Sequence, residues 1–310
     1  MEDVVIIGGG ISAHTAALYT ARASLNPLVF HGKGLDQLSL TTVVENYPGF
    51  PEGVLGPELI DNCKRQAERF GARYVNEDVD AVTKVTQGFE VKAGGKAYAT
   101  RTVLVCTGAS ARRLNIPGED EYFGKGVSTC AVCDAALYRG KTAVVAGGGD
   151  SAMEETLALY KFAKKIYLVH RRDVFRASKI MQDRVIKLKD KVEIILNTTI
   201  LDVFGDGKFV QGVNVQEAST NRSRKIACDG VFLAIGHVPN TGFLKKLVKL
   251  DEHGYVLTDK LGKTNVDGIY AAGDCQDPVF RQAVTSAGSG CMAALQAERY
   301  LEHLKASGTY

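Results

Sequence analysis

A short apolar run, Val4-Val-Ile-Ile7, passes straight into Gly8-Gly9-Gly10-Ile11-Ser12-Ala13 and then into a helical stretch, Thr15 to Arg22. About 140 residues later the same pattern returns. Thr142-Ala-Val-Val-Ala146 runs through Gly147-Gly148-Gly149-Asp150-Ser151-Ala152 into a helix rich in Glu, Leu and Ala. A wholly apolar run of this length reads as a strand buried on both faces of a parallel sheet. In the loop after it, the first Gly makes a tight turn and the second lets backbone approach a pyrophosphate. A small third residue lets helix and strand pack closely, and the helix N-terminus faces the phosphate charge. Gly8, Gly10 and Ala13 meet these needs, with Ser12 beside them; Gly147, Gly149 and Ala152 meet them again, with Asp150 and Ser151 opening the helix. One such loop is weak evidence, but two in the same strand–loop–helix context predict two dinucleotide-binding folds.

The expected class is α/β, with two Rossmann-like domains and the second inserted in the first. Val103-Leu-Val-Cys-Thr-Gly108 reads as a closing strand of the first fold and Val231-Phe-Leu-Ala-Ile-Gly236 as its counterpart in the second. Each runs into a turn with Pro (Pro117, Pro239), a natural place for the chain to cross between domains. Gly268-Ile-Tyr-Ala-Ala-Gly273-Asp274 gives a further buried strand, and a helix from about Ser289 to Leu304 ends the chain. The first domain is therefore expected over 1–113 and 245–310, and the inserted one over 114–244.

Beyond the second strand of each unit, the two repeats diverge. In the inserted unit, Lys165-Ile-Tyr-Leu-Val169 runs into His170-Arg171-Arg172-Asp173-Val-Phe-Arg176, where a ribose-binding acid would sit for NAD. Arginines there suit the 2′-phosphate of NADP, because a guanidinium fork matches phosphate in charge and geometry. His170, Arg171, Arg172 and Arg176 are the candidate NADPH contacts. The first unit has His31 and Gly32 at the equivalent place, which does not discriminate. Asp274, at a strand end, is placed to take a ribose or ribityl hydroxyl. Asn46, with Arg281-Gln282-Ala283, offers polar groups for a flavin ring.

Cys130-Ala-Val-Cys133-Asp134 lies just before the second loop. A disulfide this short closes almost no loop, so it removes little unfolded-state entropy. It serves better as a redox relay. A helix opening around Cys130 would lower both thiol pKa values, and Asp134 could hold or deliver the exchanged proton. The competing reading, half a zinc site, needs a second pair at ligand spacing. The other cysteines (63, 106, 228, 275, 291) are scattered and read as small buried apolar residues, and no metal is expected.

Composition narrows the remaining classes. With 38 basic and 35 acidic residues, the chain has no basic run of the kind that marks a nucleic-acid or membrane surface. Seven cysteines argue against a secreted disulfide framework. No apolar run approaches membrane-spanning length, and Met1-Glu2-Asp3 enters a strand at once, so a cytoplasmic protein is expected.

Across essentially its whole length the chain resembles the low-molecular-weight thioredoxin reductases. The matching words are Glu45-Asn-Tyr-Pro-Gly-Phe-Pro-Glu52, Thr107-Gly-Ala-Ser110, Cys130-Ala-Val-Cys-Asp134, His170-Arg-Arg-Asp-Val-Phe-Arg-Ala177, Ala234-Ile-Gly-His-Val-Pro-Asn240, Gly273-Asp274 and Arg281-Gln-Ala-Val-Thr-Ser-Ala-Gly288. The resemblance implies a homodimer with FAD in the interrupted domain and NADPH and the redox disulfide in the inserted one. It implies electrons passing from NADPH to flavin, to the Cys130–Cys133 disulfide and on to thioredoxin. It also implies rotation of the inserted domain about hinges near Arg112–Pro117 and Gly236–Thr241. The chain departs from the family at Leu35-Asp36-Gln37-Leu38, where the family has Gly-Gly-Gln-Leu, and Gln37 is kept as a flavin contact. It departs again at Ala135, where the family has Gly, a change expected to stiffen the cysteine helix. Two other readings keep the cofactors. One passes electrons to another disulfide protein or a small disulfide; the other is a non-catalytic NADP-sensing flavoprotein, against which the intact Cys-x-x-Cys-Asp speaks.

Overall fold

The computed structural model describes residues 1–41, 43–244 and 246–310. Residue 245, where the return to the first domain was expected to begin, lies outside them. The chain divides into two compact units, Met1–Ser110 with Val238–Tyr310, and Ala111–His237. Among the described residues the α-helices in chain order are α1 (Ile11–Arg22), α2 (Gly56–Arg69), α3 (Ala131–Asp134), α4 (Asp150–Tyr160), α5 (Lys179–Ile186) and α6 (Ala283–Ala306). None is long and apolar enough to cross a membrane.

In the first unit, Glu2–Ile7 pairs in parallel with Leu28–Phe30 on one side and with the end of Lys96–Val105 on the other. Arg73–Val75 and Ile269–Ala271 extend the parallel part, while Val79–Lys84 and Phe89–Ala93 add antiparallel strands. Successive side chains of a strand point to opposite faces, and both faces here are covered. Val4, Ile6, Val29 and Leu104 face a core shared with α1 and α6; Val5, Ile7, Phe30, Val103 and Val105 face a second core. This is why Val4–Ile7 is apolar at every position rather than at alternate ones.

The second unit repeats the plan. Val127–Ser128, Gly230–Ala234, Thr142–Gly147, Lys165–Val169 and Val192–Ile195 form a parallel sheet in that spatial order. Ala143, Val145, Ile166, Leu168 and Phe232 pack on one face with Met153 and Leu159 of α4. Val144, Val169, Val231 and Leu233 pack on the other with a three-stranded antiparallel sheet, residues 198–227. The crossing segments Ala109–Ala111 and His237–Pro239 pair as short strands.

The last helix starts earlier than the sequence led us to expect, at Ala283 rather than near Ser289. Arg281 adopts a left-handed φ of 49° and Gln282 is extended, so the turn into the helix is complete by residue 283. Gly288 and Gly290 both fall within this helix, and Gly290 serves close packing. A Cβ there would lie 2.3 Å from the Ser12 carbonyl oxygen of α1. Ala13, Ala16 and Ala17 meet Ala293, Ala294 and Ala297 in the same core, so the two helices approach over small side chains. At Gly288 an added Cβ meets nothing within 4 Å. Gly290→Ala is therefore expected to lower stability by about 1–3 kcal/mol through overpacking. Gly288→Ala should instead raise it by roughly 0.5–1 kcal/mol through helix propensity. Denaturant titration of the two variants checks the contrast.

Candidate active site

The glycine loops of the two units are built alike. A Cβ on Gly8 would lie 2.0 Å from the Cys106 carbonyl oxygen, and one on Gly147 2.3 Å from that of Ala234, each on the closing strand. The middle glycines press on the end of the second strand: at Gly9 a Cβ would meet the His31 carbonyl oxygen at 2.5 Å, and at Gly148 the His170 ring at 2.2 Å. The third glycines are open. Only Asp36 Cβ, at 3.8 Å, lies near a Cβ built on Gly10, and nothing lies within 4 Å of one built on Gly149. Gly10 and Gly149 are the extended N-caps of α1 and α4, and no side chain caps either helix. Bare first-turn amides beside an uncrowded backbone fit a pyrophosphate. His14, one turn into α1, is buried at 2% exposure and shares a hydrogen bond with the Tyr74 hydroxyl at 3.0 Å. Burial lowers its pKa to about 4, so it adds no charge near this loop at neutral pH.

Around the first loop, the fold brings together residues far apart in sequence. A Cβ on Gly273 would lie 2.6 Å from Ser12 Oγ, so the Gly273–Asp274 turn sits directly on the loop. Asp274 accepts from Ser286 Oγ at 2.8 Å; burial pushes its carboxyl up, and the Ser286 bond pulls the other way. Asn46 Nδ2 donates to Gln282 Oε1 at 3.2 Å, joining two candidate flavin contacts beside Arg281 and Ala283. Gln37 is exposed in the turn after Asp36. Asp36 accepts from the Leu38 and Ser39 amides (3.0 and 3.1 Å) and the Ser39 hydroxyl (2.5 Å), so the departure from a Gly pair fixes its own turn.

Around the second loop, Arg171, Arg172 and Arg176 are exposed, as a phosphate-binding set requires. His170 is placed differently. Its ring is buried against Gly148 and Phe175, and Nε2 bonds the Val174 carbonyl at 3.1 Å. Burial lowers its pKa, so it packs as a neutral ring under the loop rather than as a cation on its surface. The Arg176 and Ala177 amides both donate to the Gly148 carbonyl (2.7 and 3.1 Å), which draws the arginine segment onto the loop. Asp150 accepts from the Ser178 amide and hydroxyl, both at 2.8 Å, and Ser151 and Ala152 come next in the first turn of α4.

Cys130 and Cys133 form a disulfide with their Cα atoms 5.3 Å apart. Cys130 is the N-cap of α3, and its Sγ accepts the Cys133 amide at 3.2 Å. Ala131 and Ala135 (0% and 3% exposed) anchor the turn in the core, while Val132 is 60% exposed and Cys133 lies at the surface. Ala135 takes ordinary helical angles, so the residue standing for the family's Gly carries no backbone strain. Ser128 Oγ donates to Asp134 Oδ2 at 2.6 Å and accepts the Cys130 amide at 3.1 Å, tying the acid to the first cysteine. Glu155 of α4 accepts the Ala131 amide. Among the described residues no three His, Cys, Asp or Glu side chains converge as a metal site. Cys106, Cys228 and Cys275 are buried as expected, and burial raises all three thiols, Cys275 to about 11 and Cys228 to about 12. Cys63 and Cys291 are only half-buried, contrary to expectation, because each lies on a helix at the margin of a core.

A family model described as pyridine nucleotide-disulphide oxidoreductase matches residues 2–290. The chain belongs to that family. A curated thioredoxin reductase of Chlamydia trachomatis is 46% identical over 309 residues, covering 97% of this chain and 98% of that one. One from Mycolicibacterium smegmatis is 48% identical over 303 residues, covering 97% of each. The solved thioredoxin reductase of Giardia duodenalis superposes with a TM-score of 0.92 at 43% identity, covering 97% of this chain and 98% of that one. Membership in the family implies use of a flavin and a pyridine nucleotide, and the open loops fit both.

Gly9, Gly148, Ser128, Glu155 and Ser286 escaped the sequence reading. Ser128 alone carried a local signal, a hydroxyl two residues before an N-cap. In the second loop, Gly148→Ala is expected to destabilise the unit by about 1–3 kcal/mol, since the His170 ring must move. Gly149→Ala should leave stability within about 0.5 kcal/mol yet weaken pyridine nucleotide binding at least tenfold. Thermal melts and nucleotide-binding isotherms separate the two effects.

Proposed function

We propose that this protein is an NADPH-dependent thioredoxin-disulfide reductase. The observation that carries the reading is the Cys130–Cys133 disulfide beside Asp134, in the same unit as a nucleotide loop flanked by exposed arginines. Relatives named thioredoxin reductase, matched over nearly their full length, support it.

In this reading Gly8, Gly10, Ser12 and Ala13 hold the pyrophosphate of FAD. Asp274 takes a hydroxyl of its sugar chain, and Gln37, Asn46, Arg281, Gln282 and Ala283 border the flavin ring. Gly147, Gly149, Asp150, Ser151 and Ala152 hold NADPH, with Arg171, Arg172 and Arg176 on the 2′-phosphate and His170 shaping the loop beneath it. The bound flavin supplies a two-electron relay between nicotinamide and disulfide.

Reduction of the disulfide takes two electrons and breaks the S–S bond. Asp134, oriented by Ser128, delivers a proton to the sulfur that leaves as a thiol. Cys130 is the sulfur better kept as a thiolate, because the Cys133 amide donates to it. It attacks the disulfide of oxidised thioredoxin and forms a mixed disulfide. Cys133 then gives up its proton and attacks Cys130 Sγ, restoring the starting bond; that proton and one from solvent complete dithiol thioredoxin. The proposal includes a cytoplasmic homodimer.

Purified holoprotein should consume NADPH only when a thioredoxin is present, and Cys133→Ser should abolish that turnover while leaving flavin reduction by NADPH intact. Disulfide reduction surviving in Cys133→Ser would overturn the relay. Flavin reduction with no thioredoxin-dependent turnover would overturn the acceptor.

A further inference from the structure

α3 is a single turn, too short to persist alone, since helix nucleation is unfavourable. Its sulfurs therefore depend on what neighbouring elements do to its amides and charges. Glu155 stands on α4 between the core residues Met153 and Thr156, both fully buried, and Thr156 is further fixed by a 2.7 Å bond to the Ala152 carbonyl. From that fixed place its Oε2 accepts the Ala131 amide, the one immediately after Cys130. Glu155 is also six residues past Gly149, about 9 Å along the helix that opens the nucleotide loop. One short rigid element thus holds both the loop and the dithiol turn.

We infer that Glu155 is a positioning residue of the dithiol that makes the reduced pair a stronger reductant. Amides at the start of a turn stabilise a cysteine thiolate, and stabilising the reduced form weakens a dithiol as an electron donor. Here Glu155 takes the Ala131 amide, and the Cys133 amide is left to donate to Cys130 Sγ at 3.2 Å. The Glu155 carboxylate, held on the amide that follows Cys130, also disfavours a second anion on that cysteine's sulfur. Asp134, the other acid of the turn, is turned to Ser128. The disulfide carries no charge, so both effects fall on the reduced state alone. The balanced half-reaction is disulfide plus two electrons plus one proton giving a thiol and a thiolate, with glutathione supplying the electrons in the redox-buffer test.

The inference rests on the pair being the electron carrier. Its test requires neither NADPH nor thioredoxin, so its failure is distinct from failure of the proposed function. Wild-type, Glu155→Gln and Glu155→Ala holoproteins are equilibrated anaerobically in glutathione redox buffers at pH 7. Reduced Cys130 and Cys133 are then alkylated and counted by mass spectrometry. Glu155→Gln keeps an acceptor for the Ala131 amide and loses the charge. It should shift the equilibrium toward dithiol by about tenfold, a rise of ~30 mV for this two-electron couple. Glu155→Ala also frees the amide and should shift it further in the same direction. A merely structural role predicts that Gln rescues the wild-type potential. That result, or a shift toward disulfide, overturns the inference. Should Glu155→Ala lose its flavin or fold, Glu155→Gln decides alone.

Discussion

Both units depend on backbone meeting backbone where the glycine loops cross the ends of their sheets. At Gly8 and Gly147 the loop lies so close to the closing strand that a single Cβ would overlap a carbonyl oxygen. That approach sets where α1 and α4 begin, and with them the first-turn amides that no side chain caps. It also sends Asp274 and the start of α6 onto the first loop, and the arginine segment onto the second through two bonds to the Gly148 carbonyl. The chemistry of each unit is thus arranged around a contact that contains no functional side chain.

The dithiol turn is held by different means. It gains little from its own helical hydrogen bonds, and relies on Ala131 and Ala135 in the core, Ser128 below Asp134, and Glu155 across from α4. Small buried anchors leave the sulfurs near the surface while preventing the turn from unwinding. Cys133 lies at the surface with Cys130 half-buried beside it, and Ser128 ties Asp134 to the Cys130 amide. The remaining thiols contrast with this arrangement. Burial raises Cys106, Cys228 and Cys275, which keeps them protonated and unreactive at neutral pH.

Much of this was legible in the residues because it rests on local patterns. Unbroken apolar runs at Val4–Ile7 and Thr142–Ala146 reflect burial on both faces. The spacing Gly8, Gly10, Ala13 reflects turn, approach and packing, and Cys130 opens a helix where it was expected. What the sequence hid was set by tertiary packing. His170 sits in an arginine-rich word that advertises a ligand, yet its ring fills the space that Gly148 leaves. Glu155 is one of several acids on a helix, and only the fold brings it to Ala131. The packing role of Gly290 shows only once α1 is brought against it.

The central claim is that electrons from NADPH arrive at the Cys130–Cys133 disulfide. Anaerobic holoprotein treated with NADPH, then quenched with an alkylating reagent and digested, tests it directly by mass spectrometry. The account predicts new label on both Cys130 and Cys133, with Cys106, Cys228 and Cys275 unlabelled while the protein stays folded. An unreduced Cys130–Cys133 disulfide beside a fully reduced flavin would contradict it.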